Sequence, residues 1–185
     1  TFPLSILDHP SSRNFPFMGE TSGRNYDSTA YEEGIWVGYR YFNTFGGEVA
    51  YPFGYGLSYT TFKYCEPEVK MTKDGFTARV TVTNTGSVAG KEAVQLYVTA
   101  PSGGMEKPRC ELKSFAKTKL LEPGESQTLE FTVDSYSLAS FNEGSGCWES
   151  ASGTYTVHFA ANVEDIRCSV PFKLPKMKTW EVAVF

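Results

Sequence analysis

From Leu57 onward, apolar residues fall at every second position, and no segment alternates strand with helix. Side chains on a strand point alternately to its two faces, so this spacing commits the chain to half-buried strands. In Ser58–Tyr64, Thr60, Phe62 and Tyr64 share one face and Tyr59, Thr61 and Lys63 the other. Phe76–Thr83 turns Phe76, Ala78, Val80 and Val82 inward, and Asn84-Thr85-Gly86 ends it as a turn. Glu92–Thr99 sets Val94, Leu96 and Val98 against Gln95 and Tyr97. Residues 111–121 carry Leu112, Phe115 and the Leu120–Leu121 pair before the Pro123-Gly124 turn. Ser126–Val133 turns Leu129, Phe131 and Val133 inward, Tyr155, Val157 and Phe159 mark a further strand, and Ser169–Leu174 forms the last. About seven strands separated by turn signals predict an antiparallel β-sandwich of immunoglobulin type over residues 58–175. Gly153-Thr154-Tyr155 fits a tyrosine corner, a place that a half-buried strand tyrosine also fills without that role.

Residues 1–57 read differently. Pro3, Pro10, Pro16 and Pro52, with glycines at 19, 23, 34, 38, 46, 47, 54 and 56, interrupt any helix or ladder. A single turn of helix is expected near Ala30–Arg40, where Glu32 and Glu33 favour its N-terminus. Residues 1–62 hold 15 of the 28 aromatic side chains but only 7 of the 27 Ile, Leu and Val residues. A segment poor in aliphatics and rich in aromatics suits a contact surface better than a small core.

Charge narrows the function. Seventeen basic against 21 acidic residues, with no basic block, disfavours nucleic-acid binding. No apolar run approaches the ~20 residues of a membrane-spanning helix. The chain opens without a leader pattern, which favours a piece of a longer polypeptide over a processed protein. Cys65, Cys110, Cys147 and Cys168 form no close pair, and neither His9 nor His158 flanks one, so no metal site is expected. Buried thiols are favoured over two disulfides.

The strings Tyr31-Glu32-Glu33-Gly34-Ile35-Trp36-Val37-Gly38-Tyr39-Arg40-Tyr41-Phe42 and Tyr51-Pro52-Phe53-Gly54-Tyr55-Gly56-Leu57-Ser58-Tyr59-Thr60-Thr61-Phe62 resemble two signatures near the C-terminal end of family 3 glycoside hydrolases. The likeness continues through Val88–Val98, Glu111–Phe115, Leu121–Glu125, Gly153–Val157 and Asp165–Arg167. It implies a β-glucosidase-like enzyme of retaining mechanism, with a barrel domain, an α/β sandwich domain and a fibronectin type III-like domain. Residues 1–57 would then be the connector leaving the α/β sandwich domain, 58–175 the fibronectin-like module, and 176–185 a C-terminal extension or the start of a linker. The family's Asp nucleophile and Glu acid/base fall on no residue here, so no catalytic residue is assigned, and no cofactor is implied. The compartment of such a bacterial-type enzyme, cytoplasmic or secreted, stays open.

The residues themselves agree that chemistry lies elsewhere. Adjacent Glu32 and Glu33 project in different directions and do not form the spaced carboxylate pair of a glycosidase. Asp8, Asp27 and Glu48 are scattered. Gly54-Tyr55-Gly56 lacks the third glycine and following helix of a dinucleotide loop, and no Gly-x-Ser-x-Gly elbow occurs. His158 faces away from Val157 and Phe159, toward solvent, and His9 is a loop residue. Lys113, Lys117 and Lys119 read as gatekeepers of an edge strand rather than as a site for acidic polysaccharide. Trp36, Trp148 and Trp180 could stack on sugars, but nothing in the spacing unites them, so the substrate-binding residues stay unknown. Trp36, Tyr39, Arg40, Tyr41, Phe53 and Tyr55 are expected instead to be interdomain anchors of an extended strap. The partners would be the barrel and α/β sandwich domains of a parent glycosidase. The expected role is an accessory, stabilising module without activity of its own, and the alternative is a carbohydrate-binding module.

Overall fold

The computed structural model describes residues 1–5, 8 and 33–182. Readings that fall on His9, Pro10, Pro16, Gly19, Gly23, Asp27, Glu32 and residues 30–32 of the expected helical turn lie outside them. Along the chain run β1 (Phe2–Pro3), α1 (Tyr39–Phe45), β2 (Val49–Tyr51), β3 (Phe62–Met71), β4 (Gly75–Asn84), β5 (Ala93–Thr99) and β6 (Glu111–Lys117). Then follow β7 (Ser126–Asp134), a 3₁₀ turn (Tyr136–Leu138), β8 (Ser140–Asn142), β9 (Cys147–Ser150), β10 (Gly153–Asn162), β11 (Asp165–Leu174) and β12 (Lys178–Glu181).

Two antiparallel sheets make the sandwich, one in the order β3-β4-β7 and one in the order β11-β10-β5-β6. Their facing sides carry the alternating residues of the sequence. Phe76, Ala78, Val80 and Val82 from one sheet and Val94, Leu96, Val157 and Phe159 from the other are all fully buried in one cluster. The aromatics interlock there, Tyr155 stacking on Phe172 at 5.3 Å and Phe131 meeting Phe159 at 5.8 Å. The hydroxyl of Tyr155 donates to the Ala151 carbonyl at 2.8 Å, a bond to backbone four residues upstream of the kind a tyrosine corner makes.

Several boundaries differ from the sequence reading. The first sandwich strand starts at Phe62, not Ser58, although Thr60 is already buried. The last begins at Asp165 rather than Ser169, because Asn162–Asp165 closes a tight hairpin with β10. The helix is Tyr39–Phe45, set between Gly38 (φ 59) and Gly46 (φ 86), and shares only Tyr39 and Arg40 with the described part of the expected turn. His158 is not free in solvent. Its Nε2 pairs with Thr99 Oγ1 at 2.9 Å and its Nδ1 with Ser169 Oγ at 2.7 Å, and burial lowers its pKa. Lys113 is largely covered and reaches Glu111 at 3.1 Å, so it is no edge gatekeeper, whereas Lys117 is exposed on the edge strand β6.

The sequence pattern shows no sign of the third sheet, β12-β9-β8. It places Lys178–Glu181 opposite Cys147–Ser150, so this part of the tail is paired against the sandwich. The four cysteines are unbridged, with Cys110 buried and the others half-buried.

Candidate functional site

β5 alternates in sequence, yet both of its faces are buried. Val94, Leu96 and Val98 enter the main core, while Gln95 and Tyr97 are 8% and 0% exposed. What covers the second face is the connector. Tyr39 stacks on Phe53 with ring centroids 4.8 Å apart and meets Tyr97 edge-on at 6.0 Å. With Cys110, Leu112, Ala160 and Val163 these rings form a second apolar cluster on the outside of the sandwich.

Polar bonds set the register of this seam. Gln95 Nε2 donates to the carbonyls of Gly54 at 3.1 Å and Ala161 at 2.7 Å, and its Oε1 accepts from the Tyr97 hydroxyl at 2.6 Å. One buried amide thus joins connector, β5 and the end of β10, every polar atom being matched as burial requires. The Val163 N–H donates to the Phe53 carbonyl at 3.0 Å, and the Leu112 N–H to the Tyr39 hydroxyl at 3.0 Å. Thr44 Oγ1 accepts from the Arg109 N–H at 2.9 Å. Gly54 has φ +81, and a Cβ there would lie 2.1 Å from Gln95 Oε1, so only glycine allows this approach.

The six expected anchors divide. Tyr39 and Phe53 are in the seam, and Arg40 Nη2 pairs with Glu111 Oε1 at 3.2 Å. Trp36 and Tyr41 instead pack on Phe45, at 4.7 and 5.3 Å, and Tyr55 lies 5.2 Å from Tyr51 while remaining 46% exposed. Sequence reasoning missed Gln95, Tyr97, Cys110 and Val163. The one signal for the first two was a glutamine and a tyrosine on a strand face otherwise free of charge.

Burial raises the Tyr39 and Tyr97 hydroxyls above their ordinary values and pushes the Cys110 thiol up to about 11. A thiol kept protonated is neither a ready nucleophile nor a ready metal ligand. Among the described residues, no group of three or more His, Cys, Asp or Glu side chains is placed to hold a metal ion. Carboxylates of the seam serve cations and hydroxyls: Glu111 takes Arg40 and Lys113, and Glu92 accepts from the Tyr64 hydroxyl at 2.9 Å.

Glu92 borders a cleft of about 490 Å³ at the junction of connector and sandwich, lined also by Tyr55, Leu57, Thr60, Asp165 and Arg167. Burial raises the Glu92 pKa above its ordinary 4.5, against the lowering effect of the Tyr64 bond. The folded protein therefore holds this proton more tightly than the unfolded chain, and the stabilisation is lost as pH rises from about 4.5 through the folded value. Glu92→Gln is expected to flatten stability in that window, measured as urea midpoints across the acid range; an unchanged slope counts against burial as its cause.

Comparison with known proteins identifies the assembly. Residues 92–163 match the fibronectin type III-like domain family. The chain is 38% identical to a β-glucosidase of Ruminococcus albus over 98% of its own length and 19% of the relative's. It is 41% identical to thermostable β-glucosidase B of Acetivibrio thermocellus, over 90% of the chain and 22% of that enzyme. It superimposes on the structure of β-glucosidase 3B from Thermotoga neapolitana in complex with glucose with TM-score 0.90 at 42% identity, covering 98% of this chain and 25% of that one. Over nearly its whole length the chain is similar to β-glucosidases of glycoside hydrolase family 3. A second family 3 structure, the GH3 β-glucosidase of Bifidobacterium adolescentis, agrees with TM-score 0.84 at 36% identity over 94% of the chain. The chain spans only about a fifth to a quarter of its relatives' length.

Proposed function

We propose that the chain is an accessory, stabilising module of a family 3 glycoside hydrolase whose complete form hydrolyses terminal β-D-glucosides by a retaining mechanism. Under this reading the acid, base and nucleophile lie in the parent's other domains. The observation that carries this reading is a run of exposed apolar side chains along a connector whose other side is fastened to the sandwich. Phe2 is 70% exposed, Leu57 88% and Tyr59 fully so, and Val37, Phe45 and Tyr51 are each at least half exposed. Large apolar side chains left bare in sequence order mark a contact surface, and its occupants would be the barrel and α/β sandwich domains of the parent. Under this reading Trp36, Tyr41 and Tyr55 serve that contact, while Tyr39, Arg40 and Phe53 hold the strap to its own domain.

The test is made in the full-length enzyme. Trp36→Ala and Tyr55→Ala are expected to lower the melting temperature by about 3 °C or more, with kcat on an aryl β-glucoside little changed. Normal melting with lost turnover would refute the reading, because it would place these rings at the substrate.

A further inference from the structure

The third sheet gathers aromatics that the connector does not use. Trp180 on β12 and Trp148 on β9 are direct cross-strand partners, and Phe141 on β8 is the partner of Trp148 on its other side. The three rings form one row across the sheet. Tyr136, from the 3₁₀ turn, stands against both indoles, 5.6 Å from Trp148 at 56° and 5.4 Å from Trp180 at 81°. Tyr136 and Trp180 thus make a corner of two nearly perpendicular rings, and Tyr136 remains about half exposed.

The corner opens on a groove of about 430 Å³ lined also by Asp74, Asp134, Ser135, Lys178 and Thr179. It lies where Gly75 pairs with Asp134, while the connector enters where Phe62 pairs with Asn84. The full ten residues of β4 separate these ends, about 33 Å at the rise of a strand. The groove is therefore remote from the connector's junction with the sandwich.

Its polar groups are selectively occupied. Lys178 Nζ is committed to Ser135 Oγ at 2.8 Å and the Lys73 carbonyl at 3.4 Å. Asp134 Oδ1 accepts from the Ser137 N–H at 2.7 Å, which leaves its second oxygen. The Asp74 carboxylate has no hydrogen-bond or ion-pair partner among the described residues. An apolar side chain or another apolar surface would leave these acceptors without donors as it desolvated them. A sugar ring with equatorial hydroxyls meets both demands: an apolar C–H face for an aromatic ring, and hydroxyl donors around its edge for carboxylates. Two carboxylates against one tethered ammonium also disfavour anionic ligands.

We propose that this corner is a binding site for a neutral β-linked glucose oligosaccharide, one pyranose stacked on Trp180 against Tyr136 with hydroxyls donating to Asp74 and Asp134. The proposal does not depend on what the connector's exposed face contacts. The test titrates the 185-residue chain with cellotetraose, followed by calorimetry and tryptophan fluorescence. Saturable binding in the millimolar range or tighter is expected. Asp74→Ala, an exposed position whose carboxylate has no partner to lose, is expected to melt like the parent and bind about tenfold more weakly. Trp180→Ala is expected to abolish binding, and tetragalacturonate to bind no more than a tenth as well. No saturation by about 10 mM cellotetraose would overturn the proposal and leave the corner to another domain or a second copy of the chain. Undiminished binding by Asp74→Ala, or equal affinity for tetragalacturonate, would overturn it as well.

Discussion

Asn84→Leu is expected to lower the unfolding free energy by about 3–5 kcal/mol, the largest effect of any single polar substitution in the sandwich. Asn84 ends β4 with its side chain fully buried. Its Nδ2 donates to the carbonyls of Val88 and Leu121, each at 2.8 Å. Its Oδ1 accepts from Thr60 Oγ1 at 2.6 Å and from the Gly86 N–H at 3.1 Å. Leucine matches the volume but deletes every one of these bonds and strands three partner groups, each worth about 1–3 kcal/mol when buried unpaired, while the Leu121 carbonyl keeps the Gly90 N–H at 3.1 Å. Relaxation and water entry at the part-buried members keep the total below their sum. The carbonyl of Val88 and the Gly86 amide lie toward solvent, whereas Thr60 and Leu121 are buried. Urea unfolding at neutral pH measures the change, and a loss under about 1 kcal/mol would mean that water satisfies the orphans. Asn84→Asp separates the two halves of the network. It keeps the acceptor for Thr60 and Gly86 but loses the donor, so it is expected to retain the Thr60 contact while destabilising the Leu121 side.

That network also explains which parts of the fold were legible in the sequence. Val80 and Val82, or Leu129 and Phe131, announce their burial through the two-residue period, which is a local property of the strand and needs no partner. The strands of both sandwich sheets follow from it. Asn84 gives no such signal, because what makes it a buried hub is the arrival of Thr60 and the 118–125 segment in space. Gln95 and Tyr97 fail for the same reason. Their strand alternates correctly, but a polar residue on the outer face looks solvated until Tyr39 and Phe53 are laid over it. β8, with three residues, and β9 and β12, with four each, are too short to establish any period. Hence Trp148 and Trp180 looked unrelated, though the register sets them side by side. The connector's aromatic content, by contrast, was plain in composition. Composition alone could not tell that Tyr39 and Phe53 turn toward the sandwich while Tyr55, Leu57 and Tyr59 stay bare.

Tyr97→Ala tests whether strap and sandwich are one body. It is expected to cost about 3–5 kcal/mol and to release residues 39–54 from the sheet before the sandwich itself unfolds. Three contacts disappear together: the edge-on ring contact with Tyr39, the bond from the hydroxyl to Gln95 Oε1, and the filling of the cluster shared with Cys110 and Val163. The buried Gln95 then lacks a donor for its Oε1, and its grip on the Gly54 carbonyl weakens with it. Tyr97→Phe separates the ring from the hydroxyl, since it keeps the packing and removes only the bond, and a loss of about 1–2 kcal/mol is expected. Hydrogen exchange at the Arg109, Leu112 and Val163 amides reports the release directly, because each donates to a connector oxygen: Thr44 Oγ1, the Tyr39 hydroxyl and the Phe53 carbonyl. In Tyr97→Ala these amides are expected to exchange well ahead of those in β4 and β7, which lie in the opposite sheet. If all exchange together, the seam is not a separable unit and the connector belongs to the sandwich's own cooperative core. If the three alone accelerate, the outer face of β5 is a joint, and load placed on the bare connector residues reaches the sandwich through Gln95, Tyr97 and the Tyr39–Phe53 stack.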